Sequence, residues 1–137
     1  MKRILIVDDK ATSRELLRSV LENQGHTVIE ASNGEEALEK TRSEAPDLIL
    51  LDLQMPVRNG YEVLEELRNA PAYAKLPIIA LTASAMQGDR EKALAAGFTA
   101  YLTKPVALAT IRTEIQRLLD AGNAFLPSQL DTSTGRS

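Results

Sequence analysis

The 137-residue sequence has no cysteine, no tryptophan and only one histidine. The lack of cysteine excludes disulfides and thiolate metal sites, and it is compatible with a reducing compartment. No apolar run approaches the roughly 20 residues that a membrane-spanning helix needs, and the apolar run near the amino terminus is too short for a signal peptide. A net charge of −3 gives no general attraction to nucleic acid or to anionic lipid. These absences predict a cytoplasmic protein that neither enters a membrane nor binds nucleic acid directly.

Short apolar runs are the most regular feature of the chain. They fall at 4–7, 27–29, 48–51, 77–81 and 100–102, and most are continuous, which is typical of strands buried on both faces. The segments between them repeat apolar residues three and four positions apart, which predicts amphipathic helices. Five strands that alternate with five helices indicate one α/β domain, with a parallel sheet covered by helices on both faces.

Polar residues follow four of the five predicted strands. These are Asp8 and Asp9 after the first, Asp52 after the third, Thr82 after the fourth and Lys104 after the fifth. Because the carboxyl ends of parallel strands meet at one edge of the sheet, where ligands bind in such folds, we expect these side chains to lie close together. Three neighbouring carboxylates would repel one another unless a hard cation such as Mg²⁺ binds them.

A phosphoryl group would complete a site of this composition. Mg²⁺ commonly fills its coordination shell with phosphate oxygens, and the ammonium of Lys104 suits the same anionic group. No serine, cysteine or histidine stands beside a plausible base at this edge of the sheet. We therefore expect the nucleophile to be a carboxylate, which would form an aspartyl phosphate.

The chain resembles the receiver domain of bacterial two-component response regulators from about residue 2 to residue 120. The matching motifs are VDD at 7–9, LLDLQMP ending at Pro56 and followed by Asn59-Gly60, LTA at 81–83 and YLTKP at 101–105. The resemblance implies a flavodoxin-like, doubly wound fold whose five parallel strands have the order 2-1-3-4-5. It also implies phosphorelay signalling, in which a histidine kinase or a histidine phosphotransfer protein donates the phosphoryl group.

The same resemblance implies a role for each residue at this edge of the sheet. It makes Asp52 the phosphoacceptor, Asp9, Asp52 and the backbone carbonyl of Gln54 direct Mg²⁺ ligands, and Asp8 a ligand that acts through water. Lys104 is expected to pair with the phosphoryl oxygens, next to a cis peptide bond between Lys104 and Pro105. The site is therefore expected to depend on Mg²⁺.

A conformational switch is also implied by the resemblance. Thr82 is expected to move toward the phosphoryl group while Tyr101 turns inward, which changes the surface of the fourth helix, the fifth strand and the fifth helix. We expect a downstream protein to bind this surface. The fourth helix is predicted at about 85–96, and Gly88 near its start weakens it locally.

Residues 121–137 are rich in small polar residues and are predicted to form a flexible tail or linker after a receiver domain at 1–120. Two alternatives stay open: a stand-alone receiver, as a monomer or weak dimer, and a receiver that belongs to a larger hybrid kinase or multidomain regulator. An aspartate-nucleophile phosphatase is disfavoured, because such enzymes carry a second acid two residues after the nucleophile. In this chain the residue two positions after Asp52 is Gln54, and the residue two positions after Asp8 is Lys10, and neither is an acid. We therefore predict a signalling domain that assists only its own phosphorylation and dephosphorylation, and not an enzyme.

Overall fold

The computed structural model describes residues 2–55, 59–83, 87–104 and 107–124. The chain divides into two compact units, Met1–Val106 and Ala107–Ser137. Within the described ranges, the first unit holds the sheet with its first four helices, and the second holds a single helix. No helix in the part of the chain that the structure describes is long and apolar enough to cross a membrane.

Strands and helices alternate throughout the first unit. Its elements are β1 (Arg3–Val7), α1 (Ala11–Asn23), β2 (Thr27–Ala31), α2 (Gly34–Glu44), β3 (Leu48–Asp52), α3 (Gly60–Asn69), a short 3₁₀ turn (Pro71–Tyr73), β4 (Ile78–Thr82), α4 (Asp89–Ala96) and β5 (Ala100–Thr103). The second unit contains α5 (Leu108–Ala124). All neighbouring strands are parallel and their order is β2-β1-β3-β4-β5, so the predicted fold class and strand order are confirmed.

The three central strands explain the continuous apolar runs in the sequence. The side chains of β1, β3 and β4 are buried along almost their whole length, as expected for strands that face protein on both sides. Helices α2, α3 and α4 share one hydrophobic core cluster with these strands. Helix α1 contacts β1 and β2 and buries Leu17, Val20 and Leu21. The sheet is therefore a rigid support for the residues at its carboxyl edge.

Strand register places the predicted site residues next to one another. Val7 at the end of β1 is paired with Leu51, so Asp8 is level with Asp52. Asp52 is paired with Leu81, and Thr82 with Thr103. Since each site residue lies at the end of a strand or directly after it, the register alone brings them to one edge of the sheet.

Helix α4 is shorter than the sequence predicted. It begins at Asp89, whereas the prediction began at about residue 85, and Gln87 and Gly88 form a turn before it. Gly88 has a φ of +88°, in the left-handed region that a right-handed helix cannot contain. The predicted residues 85 and 86 lie outside the described part of the chain. Only Ala93 of α4 is buried, so the helix is held by few large side chains.

Helix α5 shows the apolar spacing that the sequence suggested. Ile111, Ile115, Leu118 and Leu119 are buried. The helix continues to Ala124, beyond the predicted end of the receiver domain at Asp120. Of the predicted tail at 121–137, residues 121–124 belong to this helix and residues 125–137 lie outside the described part of the chain, so the domain boundary stays a prediction.

Candidate functional site

Three carboxylates meet at the carboxyl edge of the sheet. The side chains of Asp8 and Asp9 follow β1, and Asp52 ends β3. Each side chain offers an oxygen that lies within 4.8 Å of those of the other two. Asp8 and Asp52 are buried, whereas Asp9 is exposed. The cluster therefore combines two carboxylates that are shielded from solvent with one that solvent reaches.

Lys104 supplies a positive charge to this cluster. Its Nζ lies 2.7 Å from Oδ2 of Asp8 and 3.4 Å from Oδ2 of Asp52. The backbone N–H of Lys104 donates to the carbonyl of Thr82 at 2.7 Å, which fixes the residue beyond the end of β5. One ammonium thus bridges two buried carboxylates, and a net negative charge remains at the edge.

Burial and neighbouring charges perturb the acid–base properties of the cluster. Burial raises the pKa of the Asp52 carboxyl, and the charge of Asp8 adds to this rise, although the Gln54 N–H and Lys104 oppose it. Burial alone lowers the pKa of Lys104, but its hydrogen bond with Asp8 and the charges of Asp52 and Asp8 outweigh burial and raise it. Lys104 therefore stays protonated, and the ionised form of Asp52 is destabilised relative to an ordinary aspartate.

Backbone N–H groups orient the two buried carboxylates. The N–H of Gln54 donates to Oδ1 of Asp52 at 3.0 Å, and the N–H of Lys10 donates to Oδ1 of Asp8 at 2.9 Å. Both bonds join an aspartate to the residue two positions later, the pattern of a turn that an aspartate side chain closes. In each case the second oxygen is the one that Lys104 contacts.

The two residues of the predicted switch lie on neighbouring strands. Thr82 ends β4 and is buried, and Tyr101 lies in β5 with its ring in the hydrophobic core cluster. The structure thus shows Tyr101 in the inward position. Its hydroxyl is buried without a hydrogen-bond partner among the described residues, and burial raises its pKa. A buried hydroxyl without a partner costs free energy, so hydrogen bonding does not stabilise this position of Tyr101.

The sequence prediction missed Arg14 and Glu30, an ion pair that supports the backbone of Asp8 and that we call the Arg14 brace. Nη1 of Arg14 donates to the backbone carbonyl of Asp8 at 2.6 Å, and its Nε lies 2.9 Å from Oε1 of Glu30. The prediction found nothing comparable to the aspartates on the second strand. The available signal was a charged residue, Glu30, inside an otherwise apolar strand, but no sequence spacing connects it with an arginine 16 positions earlier.

Several predicted features fall outside the described residues. They are Pro56 in the loop after β3, the peptide bond between Lys104 and Pro105, and the tail at 125–137. The proposed cis bond at Pro105 therefore stays a prediction. Gln54 is described and exposed, two residues after Asp52 in the loop.

The start of α3 lies very close to the backbone of Asp52. A Cβ added at Gly60 would be 2.8 Å from the carbonyl oxygen of Asp52 and 2.9 Å from Cα of Leu53. Helix propensity alone would make Gly60→Ala stabilising. We instead expect the clash with backbone atoms to lower the free energy of unfolding by about 2 kcal/mol in urea denaturation.

A matched substitution at Gly25 separates the clash from backbone strain. Gly25 has a φ of +90° and nothing within 4 Å of an added Cβ. Gly25→Ala should cost about 1 kcal/mol, from left-handed strain only. A Gly60→Ala protein as stable as the unmodified chain would contradict the close approach of α3 to Asp52.

Comparison with known proteins relates this geometry to a family. The family model described as the response regulator receiver domain matches residues 4–116. An uncharacterized 14.6 kDa protein of Leptolyngbya boryana is 47% identical over 103 residues, which cover 75% of this chain and 79% of that protein. The polar-differentiation response regulator DivK of Brucella anthropi is 39% identical over 107 residues, which cover 78% of this chain and 87% of DivK.

A solved structure agrees with these sequence relatives. The chemotaxis response regulator CheY4 of Vibrio cholerae has a TM-score of 0.80 and 32% identity, and the match covers 85% of this chain and 98% of that protein. The fold and the sequence therefore point in the same direction, and the strand-end residues described above fall within the matched region. The chain belongs to the response regulator receiver domain family, whose members act in two-component signalling.

Proposed function

We propose that the protein accepts a phosphoryl group on Asp52 from a phospho-histidine donor, in a reaction that depends on Mg²⁺. The observation that supports this most directly is the edge of the sheet itself. Three carboxylates offer oxygens within 4.8 Å of one another, and the Nζ of Lys104 lies between two of them. The donor would be a histidine kinase or a histidine phosphotransfer protein, as in the family.

The donor set of the site fits Mg²⁺. The ion prefers oxygen ligands and usually keeps several waters, and here two buried carboxylates lie beside an exposed one that water can reach. We assign the carboxylates of Asp9 and Asp52 and the carbonyl of Gln54 as ligands, with Asp8 acting through water. When bound, the ion would neutralise the negative charge of the carboxylates and of the incoming phosphoryl oxygens.

The chemistry of the transfer follows from two side chains. An ionised carboxylate oxygen of Asp52 attacks the phosphorus of the donor, a P–O bond forms, and the P–N bond breaks with its electron pair returning to the imidazole nitrogen. Lys104 would exchange part of its contact with Asp8 for the phosphoryl oxygens, since its Nζ is already 3.4 Å from Oδ2 of Asp52. The product is an aspartyl phosphate held beside an ammonium group.

Phosphorylation of Asp52 would change the conformation of the protein through Thr82 and Tyr101. In our proposal the Thr82 hydroxyl donates to a phosphoryl oxygen, which stabilises the inward position that Tyr101 already occupies. Phosphorylation would then raise the population of this position and shift the neighbouring helix with it. Helix α4 suits this role because it buries only Ala93 and is joined to β5 by a long hydrogen bond, 3.4 Å, from Nη1 of Arg90 to the carbonyl of Tyr101. We place the binding surface for a downstream protein on α4 and β5, which these contacts concern. The contribution of the fifth helix that the sequence predicts stays a prediction.

Phosphotransfer to the full chain tests the proposed function. We expect one phosphoryl group per chain, measured by intact mass, after incubation with acetyl phosphate or a phospho-histidine protein and Mg²⁺. The label should disappear when EDTA removes the metal. Steady turnover of a small phosphoester without a stable label would instead support a phosphatase.

The affinity for Mg²⁺ should begin to fall at a higher pH than it would at a site built from ordinary aspartates. Mg²⁺ binds the ionised carboxylate, and burial raises the pKa of Asp52, so protons compete with the metal at a higher pH than at an ordinary aspartate. Below the pKa of Asp52 in the folded protein, the affinity for Mg²⁺ should fall about tenfold per pH unit. Calorimetric titrations at a series of pH values measure this. An affinity that stays constant down to the range of ordinary aspartates would contradict the proposed role of Asp52 as a ligand.

A further inference from the structure

We propose that Arg14 is a positioning residue for the metal site, because its guanidinium fixes the direction in which Asp8 and Asp9 present their carboxylates. The inference rests on the proposed function, since the site that Arg14 would position is the Mg²⁺ site. Arg14 is the fourth residue of α1, outside the motifs that carry the acidic residues. Its role is visible only in the contacts of its side chain.

The key contact is a hydrogen bond to one backbone oxygen. Nη1 of Arg14 donates to the carbonyl of Asp8 at 2.6 Å. This oxygen belongs to the peptide group between Asp8 and Asp9. Because a peptide group is planar, the position of its oxygen restricts the plane that also contains the Cα atoms of both residues. A single charged donor therefore orients the backbone that carries two of the three carboxylates.

The acidic segment needs such support because it lies beyond the end of β1. Val7 is the last residue of that strand, and the N–H of Asp8 still reaches the sheet by donating to the carbonyl of Ala31 at 3.1 Å. The carbonyl of Asp8 turns toward α1 instead and accepts from Arg14. Hydrogen bonds from a charged donor are shorter and stronger than those between neutral groups.

Glu30 on β2 holds the guanidinium in place. Nε of Arg14 lies 2.9 Å from Oε1 of Glu30, and Nη1 of Arg18 lies 2.7 Å from Oε2 of the same carboxylate. The side chains of Arg14 and Glu30 are only 17% and 25% exposed, so solvent screens their interaction incompletely. The planar guanidinium can reach a carboxylate and a carbonyl together, which the single ammonium of a lysine cannot do in the same geometry.

The test compares Mg²⁺ affinities of the full chain by calorimetry, at a temperature at which every variant is folded. Arg14→Gln should weaken Mg²⁺ binding about tenfold, which is the lower end for residues that orient metal ligands. Arg18→Gln is the matched control, because it removes a neighbouring ion pair with Glu30 and one with Glu22 but no contact with Asp8. The control should bind Mg²⁺ as the unmodified chain does.

Arg14→Lys separates geometry from charge. It keeps the positive charge but should leave most of the affinity loss in place, because a lysine lacks the planar fork whose separate nitrogens contact the Asp8 carbonyl and the Glu30 carboxylate. Full recovery in Arg14→Lys would overturn the geometric role. A merely structural role of Arg14 would lower the melting temperature in Arg14→Gln and leave Mg²⁺ binding unchanged, which would also overturn the proposal.

Failure of the proposed function and failure of the role of Arg14 give different results in this experiment. If the unmodified chain does not bind Mg²⁺, the proposed function fails, whereas normal binding by both the unmodified chain and Arg14→Gln rejects only the role of Arg14. If Arg14→Gln does not fold, Glu30→Gln replaces it, because that change removes the negative charge that anchors the guanidinium and so loosens its bond to the Asp8 carbonyl. Glu30→Gln should weaken Mg²⁺ binding, and an affinity equal to that of the unmodified chain would reject the Arg14 brace.

Discussion

Asp52→Asn should lose the phosphoryl label completely and should also make the metal-free protein more resistant to heat. An amide oxygen is too weak a nucleophile to accept the phosphoryl group. Burial raises the pKa of Asp52, so its ionised form costs folding free energy at neutral pH, and the neutral amide removes that cost. The hydrogen bond from the Gln54 N–H to Oδ1 can be kept by the asparagine oxygen. Intact mass and thermal unfolding measure the two effects.

Asp47→Asn is a suitable control for this substitution. Asp47 precedes the other end of β3, is exposed, and accepts a hydrogen bond from the N–H of Arg3 through Oδ2. Its variant should keep the full label, because it lies away from the carboxyl edge of the sheet. A stable label on Asp52→Asn would place the acceptor at another residue.

Lys104→Met should destabilise the metal-free protein by about 3 kcal/mol at neutral pH, since it leaves buried carboxylates without their cation. Asp8 has no exposed surface, and Lys104 is the ammonium 2.7 Å from its Oδ2. Burial and the charge of Asp8 already raise the pKa of Asp52, and loss of the opposing ammonium raises it further. Folded-state pKa values above those of the unfolded chain mean that stability returns as the pH falls and is lost as it rises.

Urea unfolding at neutral and mildly acidic pH, with and without Mg²⁺, measures the role of Lys104. The loss of stability in Lys104→Met should be largest at neutral pH without the metal. Lys75→Met is the control, because Lys75 is exposed in the loop before β4 and its replacement should change the free energy of unfolding by less than about 0.5 kcal/mol. Equal effects of the two substitutions would show that the ammonium of Lys104 does not stabilise the cluster.

The position of Asp52 could be predicted because two independent patterns agree on it. Four apolar residues that end on a carboxylate indicate a buried strand that carries a charge to its end, and the alternation of strands and helices indicates which end of the sheet that is. The resemblance to receiver domains added the strand order. Both kinds of information depend on residues close together in sequence or on motifs in a fixed order.

The Arg14 brace could not be predicted from such patterns. Its hydrogen bond ends on a backbone carbonyl, which every residue possesses, so the sequence carries no mark of the acceptor. Its partner Glu30 lies on the next strand, and the contact depends on how α1 packs against β2. Sequence motifs identify groups that bind or react, whereas groups that orient them are identified by distances.

The predicted start of α4 was wrong for a related reason. The composition near residue 88 is compatible with a weak helix, and only the positive φ of Gly88 shows that the chain turns there before the helix begins. Glycine permits that conformation but does not require it. Local propensity therefore predicted the existence of the helix and not its first residue.

The most direct test of the site is to locate the phosphoryl group on the unmodified chain. The protein is incubated with acetyl phosphate and Mg²⁺, an aspartyl phosphate is reduced with borohydride to homoserine, and the modified residue is identified by peptide mass spectrometry. We expect a single homoserine at position 52, and none when EDTA is present. Homoserine at another aspartate, or an equal yield without Mg²⁺, would contradict a metal-dependent acceptor at the end of β3.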